Sequence, residues 1–313
     1  MVAYILRRAV LMAVSVFIVV SVVFFLVHLV PGGPAEAALG IRASTQAIAD
    51  LEKVWGLDRP LGEQYISYLS DLLHGNLGYS YFSRKSVTEL FARTFPYTFA
   101  LTFASVFVGI LTGLPLGIVA ALRRNSFWDN LSRFVALLGM SLPSFYLGTL
   151  CLYLFALVLG IFPAMGAGKA GNLGSQLHAL VLPALAGGLY MSAYVARTIR
   201  SSMLSILSTD YIRTARSKGL REYCVIVKHA LRNSLIPLVT LLGIYAGILF
   251  ASSVLLEIVF TRPGVGRLLV GAIKQRDYIV LQSLMVVYAL YVMVINLLTD
   301  LSYGFLDPRI HYN

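Results

Sequence analysis

The side chains able to do chemistry are thinly spread along this sequence. Five histidines, His28, His74, His178, His229 and His311, stand apart with no i, i+4 pair and no cysteine neighbour, so their spacing builds no metal cage. His28, near the end of an apolar run, reads as a satisfied structural residue. Cys151 lies in an apolar stretch and Cys224 in a basic one, which makes neither a disulfide framework nor a metal set. A literal Gly-x-Gly-x-x-Gly occurs at Gly166, Gly168 and Gly171, but between two apolar runs instead of between a strand and a helix, so it is no nucleotide site. Gly168-Lys169 is no phosphate loop either, because that motif wants Gly where Pro163 stands and Ser or Thr where Ala170 stands. Glu257 and Asp300 sit near the ends of apolar runs, where water is expected to solvate them; a charge at mid-membrane is opposed by about 2.5–3.5 kcal/mol. The expectation is a non-catalytic protein without a cofactor or metal, for which any nucleotide energy comes from another chain.

The elements that carry these residues are hydrophobic. Of 313 residues 58% are hydrophobic and 12% charged, against about 45–50% and about 25% in soluble domains. This is membrane composition. A bilayer core of roughly 30 Å takes about 20 apolar helical residues, and six runs qualify: Val10 to Val30, Tyr97 to Leu122, Phe134 to Ile161, Leu177 to Val195, Leu235 to Phe260 and Leu281 to Thr299. The first follows Arg7 and Arg8 and is longer than the core of a secretory signal, so it is expected to stay as a helix. The fold class is an all-α polytopic membrane protein with about six transmembrane helices.

Charge sets the orientation. Lys and Arg number 25 against 14 Asp and Glu, a net +11, which on a soluble chain would suggest nucleic acid but here reports topology, with no nucleic acid as partner. Arg7 and Arg8, then Arg123, Arg124 and Arg133, then a cluster from Arg197 to Arg232 fall on alternate connections. By the positive-inside rule that side is the cytoplasm, with both termini there. The expected layout is a cytoplasmic N-terminus and first helix (1–30), a near-neutral extracytoplasmic segment (31–96), a five-helix core (97–303) with a cytoplasmic loop at 197–234, and a cytoplasmic tail (304–313). The connection after Phe260 carries Arg262, Arg267, Lys274 and Arg276 on the outer side, against the rule; the inner loops outweigh it.

Two spans carry small residues four apart: Gly109, Gly113 and Gly117 in one, Gly243, Gly247 and Ala251 in another. That spacing stacks them on one helix face and lets a neighbouring backbone approach. Packing within the chain, and lining of a pathway or subunit seam, both fit the pattern. Pro115 and Pro143 are expected to kink their helices.

The loop from Arg197 to Asn233 holds eight Lys and Arg, whose insertion into lipid would be opposed by roughly 20 kcal/mol or more. Within it, Asp210 to Gly219 reads as a short helix ended by a left-handed glycine, and Glu222 to Arg232 as a second helix. Ala215 and Gly219, one turn apart, would admit a close contact, ringed by Arg213, Thr214, Arg216, Lys218 and Leu220. This elbow is either a docking knob or an amphipathic loop in solvent or on anionic lipid.

The stretch from Tyr211 to Leu220, followed by His229-Ala230-Leu231-Arg232-Asn233 and Pro237, resembles the coupling loop of inner-membrane permeases of binding-protein-dependent ABC importers, in the peptide/nickel branch. Leu57-Asp58-Arg59-Pro60-Leu61, Gln64-Tyr65 and Gly75-Asn76-Leu77-Gly78 are similar to the branch's outer segment. Glu257 to Phe260 with Pro263-Gly264-Val265-Gly266-Arg267, then Asp277-Tyr278, Asn296, Asp300 and the tail Leu306 to Ile310, complete the likeness along nearly the whole chain. Departures are modest: the family usually has Pro-Gly-Asp-Pro at Pro31 to Pro34, Asp at Asn76 and Pro at Ser86. The resemblance implies a MetI-like ABC importer permease architecture in the inner membrane. It further implies a second homologous permease, two cytoplasmic ATP-binding subunits, an extracytoplasmic solute-binding protein and surrounding membrane lipid as partners. Residues 213–216 and 218–220 would couple to the ATPases. Glu257, Pro263, Gly264 and Gly266 would belong to an outer loop or gate, for which a simple turn is the plainer reading. Peptides are the expected cargo, with nickel, a nickel chelate or glutathione as alternatives. An ATPase-independent carrier would need midplane charges, and a membrane scaffold would show no flux.

Overall fold

The computed structural model describes residues 2–29, 33–40 and 43–306. Pro31, Gly32, His311 and 307–310 of the tail motif lie outside the described residues. Among the described residues five helices are long and apolar enough to cross a membrane: Val10–His28 within α1 (Val2–His28), α5 (Val87–Leu122), α8 (Leu173–Leu207), Glu222–Val259, and Tyr278–Ser302 within α13 (Tyr278–Leu306). The third expected run, Phe134 to Ile161, is bent sharply at Pro143, the proline expected to kink it. It is two helices, α6 (Phe127–Ser141) and α7 (Ser144–Cys151, continued as a π-helical turn over Leu152–Val158), bent by 104°. Pro143 is the cause: it has no N–H to continue the helix, and it drives Leu142 to extended backbone at φ −94°, ψ 129°. Pro115, by contrast, sits inside an unbroken α5.

The described residues fall into two compact units, one from Met1–Pro96 with Gly264–Val294 and the other from Tyr97–Pro263 with Ile295–Tyr312. In the first, α2 (Gly33–Leu39), α3 (Thr45–Trp55) and α4 (Leu61–Leu73) follow α1. His28 bridges the Phe24 carbonyl at 2.8 Å and Gln64 at 2.9 Å, a satisfied structural residue. A two-residue hairpin, β1 (Tyr79–Ser80) with β2 (Lys85–Ser86), pairs Tyr79 with Ser86 and Ser80 with Lys85. Ser80 donates to buried Asp277 at 2.5 Å, and Asp277 in turn accepts from the Val280 N–H to cap α13. Val87, Val265, Ala272, Val280 and Leu284 form this unit's core, with α12 (Val265–Gln275) contributing two of them. Residues 87–96, expected in the outer segment, are helical and continuous with the span of α5.

In the second unit α8 is the central helix. Two thirds of its most apolar window is buried, against a third or less for the other candidate spans. Its core residues Met191, Val195, Ile199 and Met203 pack in one cluster with Ile212 and Ala215 of α9 (Asp210–Ser217), with Val225 and Ala230, and with Leu238 of α11 (Arg232–Val259). The second loop helix, expected as a separate Glu222 to Arg232 segment, is corrected: α10 (Glu222–Cys224) passes through a π-helical turn at Val225–Leu231 straight into α11.

Candidate functional site

The elbow is built by a helix with two faces. Ile212 and Ala215, three apart, are buried against the α8 core, while Arg213, Thr214, Arg216 and Lys218 stand exposed on the opposite face. Ala215, expected to admit a close contact, makes it with its own chain, and so anchors the elbow to the α8 core. Gly219 closes α9 with φ +75° and has open space around the position a Cβ would take, so its requirement is backbone conformation alone. Leu220 follows, 41% exposed, an apolar side chain facing outward beyond the glycine.

Polar contacts brace the bend. Arg216 grips Glu222 across Gly219 with two hydrogen bonds, at 3.1 and 2.6 Å, which raises the arginine's pKa. Both groups are exposed, so this pair orients the bend more than it stabilises it. Asn233 donates to the Tyr211 hydroxyl at 2.9 Å, tying the start of α9 to the foot of α11. Thr214 donates to the Asp210 carbonyl, and Arg213 pairs with the Asp210 carboxylate at 3.3 Å. Arg213 and Lys218 lie on an exposed basic face.

Above the elbow, α8 is locked to α6 by a pair that sequence reasoning missed. Asp129 is fully buried and accepts two hydrogen bonds from Arg200, at 2.6 and 2.9 Å, and one from the Asn125 N–H. Arg133 lies 3.5 Å from the same carboxylate. The signal was present as Ser126-x-x-Asp129 before an apolar run, a helix-start pattern, and Ser126 does cap α6.

The first glycine row packs within the chain. A Cβ on Gly109 would meet Met191 at 2.5 Å, one on Gly113 the Ser192 carbonyl at 2.5 Å, and one on Gly117 the Ala196 carbonyl at 2.7 Å. The α5 backbone therefore rides directly on α8. The second row divides: Gly243 packs on Thr299 and Gly247 is buried, but Ala251 is exposed.

Glu257 is fully buried, which corrects the expectation that water solvates it. The Thr98 hydroxyl donates to it at 2.5 Å, while the Ser253 hydroxyl, one turn back, donates to the Phe250 carbonyl at 2.7 Å and lies 3.4 Å from the carboxylate. The Ser253/Glu257 spacing was the sequence signal for one of these contacts. The Arg262 guanidinium is also buried and donates to the Ala179 carbonyl at 3.2 Å. Burial pulls its pKa below the ordinary value while the charge of Glu257 opposes that pull. Pro263 and Gly264 then make a turn into α12, with Gly264 and Gly266 buried and Pro263 exposed. Gly166, Gly168 and Gly171 all take positive φ in the loop before α8, where the Gly166 N–H donates to the Phe260 carbonyl. Among the described residues no three His, Cys, Asp or Glu side chains are placed to hold a metal ion.

Two family profiles match this chain. Residues 113–312 match the binding-protein-dependent transport system inner membrane component, and residues 1–102 the N-terminal part of such membrane components. The chain belongs to that family. The dipeptide transport system permease protein DppB of Alkalihalophilus pseudofirmus is 40% identical to it over 336 residues, with both chains covered in full. The glutathione transport system permease protein GsiC of Pectobacterium atrosepticum is 40% identical over 312 residues, and GsiC of Escherichia coli K12 is 39% identical, again over the whole of both chains. Among solved structures, a chain of the inward-facing MetNI methionine ABC transporter aligns with a TM-score of 0.57 at 22% identity, covering 70% of this chain and 96% of that one. As an inner membrane component, the protein has the all-helical fold of ABC importer permeases, and α8, α9 and α11 all lie within the span matched by the main profile.

Proposed function

We propose that this permease is half of the translocation pathway of an ATP-driven importer for di- or oligopeptides, pushed between its states by partner ATPases through the α9 elbow. The observation that carries the coupling role is the two-faced α9: Ile212 and Ala215 root it in the α8 core, and Arg213, Thr214, Arg216 and Lys218 present a basic face on the other side. A push on that face moves α8 and α11 as one, because both share the cluster that holds Ala215. The elbow must meet the ATPase differently in its two states, since a contact equal in both transmits nothing. Arg213, Thr214, Arg216, Lys218, Gly219 and Leu220 form the contact, and Ala215 fixes its angle.

In this reading a second permease, two ATP-binding subunits and a solute-binding protein complete the machine, and this chain hydrolyses nothing. Both termini and the elbow are cytoplasmic; residues 31–96 and the Pro263 to Gly266 turn face outward and meet the binding protein or close the outer gate. Peptide cargo is supported by relatives named for dipeptide and glutathione transport. Glutathione, itself a small peptide, is the second reading on the same grounds. The test is co-purification of the tagged chain from native membranes in mild detergent, with partners identified by mass spectrometry and peptide uptake measured in vesicles. A complex with a second permease and ATPases, weakened by Gly219→Val, is the expected result. A lone chain without ATPase activity, under conditions that preserve a known importer, overturns it.

A further inference from the structure

A cleft of about 350 Å³ opens between α6 and α8, on the stretch of α8 that leads into the elbow. Ser132, Arg133, Arg197 and Ser201 line its polar part, and Leu137 and Met140 its apolar wall. Arg200 also borders it, but that guanidinium is committed to Asp129 through two hydrogen bonds. One carboxylate among three guanidinium groups leaves the cleft positive. Arg133 remains half exposed, touching Asn130 at 2.5 Å, and Arg197 is exposed, reaching the Met140 sulfur at 4.0 Å.

The depth of the cleft is set by its helices. The apolar run of α8 ends at Val195, just before Arg197, and the apolar run of α6 begins at Phe134, just after Arg133. Both arginines therefore flank apolar runs, the position at which headgroups are expected to meet hydrocarbon, and Leu137, 63% exposed, lies one turn beyond Arg133. We propose that this cleft binds an anionic phospholipid, with the headgroup phosphate on Arg133 and Arg197, the Ser132 and Ser201 hydroxyls donating to it, and one acyl chain along Leu137 and Met140. A free phosphate would satisfy the arginines but leave the apolar wall uncovered; a lipid fills both halves.

The chain has two tryptophans, Trp55 and Trp128, and Trp128 stands exposed on α6 within two turns of Arg133. Trp55→Phe leaves Trp128 as the reporter in full-length protein reconstituted in phosphatidylcholine vesicles. Brominated phosphatidylglycerol is expected to quench Trp128 at lower mole fractions than brominated phosphatidylcholine. Relative affinity should fall about five-fold in Arg133→Gln or Arg197→Gln and about thirty-fold in the double variant, from roughly one surface cation's worth of attraction each. The lysine pair Arg133→Lys with Arg197→Lys, which keeps the charge, should retain most of the preference and so separates lost binding from lost folding. Arg221→Gln with Lys228→Gln removes the same charge from exposed positions elsewhere in the basic loop and should leave quenching intact. Equal quenching by the two lipids, or an equal loss in the Arg221/Lys228 control, overturns the proposal. Full displacement by inorganic phosphate overturns it too, in favour of a free-anion site.

Discussion

Gly219 offers the sharpest test of the elbow because its strain can be separated from its surroundings. Its φ is +75°, and a Cβ there would have no neighbour within 4 Å, so within this chain a substitution acts through the backbone. The left-handed conformation disfavours most L-residues by about 1–2 kcal/mol, with asparagine the most tolerant and a β-branched side chain the least. At about 1.4 kcal/mol per factor of ten, Gly219→Val should depopulate the bend about five- to thirty-fold, Gly219→Ala by less, and Gly219→Asn least. The assay is binding of purified ATPase subunit to detergent-solubilised permease, with ATP-dependent uptake beside it, both expected to fall in the order Asn, Ala, Val. Gly171 supplies the control: its φ is +77° and its Cβ position is equally open, but it lies before α8, so Gly171→Val carries the same backbone strain and should spare ATPase binding. Wild-type ATPase affinity in Gly219→Val, or an equal loss in Gly171→Val, would refute the claim that the bend is what the ATPase reads.

Four further outcomes follow from the same contacts. Asp129→Asn leaves Arg200 without its charged partner and should destabilise the permease by about 2–4 kcal/mol, read as a lower thermal midpoint in detergent; an unchanged midpoint would mean the pair is worth little. Gly113→Val drives a side chain into the Ser192 carbonyl and should cost about 1–3 kcal/mol through separation of α5 from α8, measured by the same melt. Thr98→Val removes the 2.5 Å donor from buried Glu257 and should lower stability by about 1.5–3 kcal/mol, with Thr98→Ser restoring most of it. Ala215→Asp buries a carboxylate in the α8 cluster, so it should reduce the yield of folded protein, while Lys218→Ala, on the exposed face, should keep the fold and weaken ATPase binding.

The sequence by itself determined what depends on local chemistry. Runs of about 20 apolar residues force spanning helices because lipid offers the backbone no partner, and five of the six expected runs are single helices. Gly219 marks the end of α9 because only glycine enters the left-handed region freely, and Pro143 marks a break because it has no N–H. The charge pattern of Arg213 to Lys218 was legible for the same reason, since exclusion from lipid is a property of the residues themselves.

Tertiary structure decided which neighbour each side chain meets. A four-residue glycine row says that some backbone approaches closely, but only the fold names α8 as the partner of Gly109, Gly113 and Gly117. Glu257 looked solvated because it stands near the end of a run; Thr98, far away in sequence, makes its burial tolerable. Ala215 and Thr214 are adjacent and both small, yet one is buried and the other exposed, because α9 leans on α8 by the Ile212 face. The Asp129–Arg200 lock joins residues on different helices, and no local periodicity encodes that meeting. Local rules fix which segments become helices, whereas pairing across them depends on how the helices pack, a choice made by the whole chain at once.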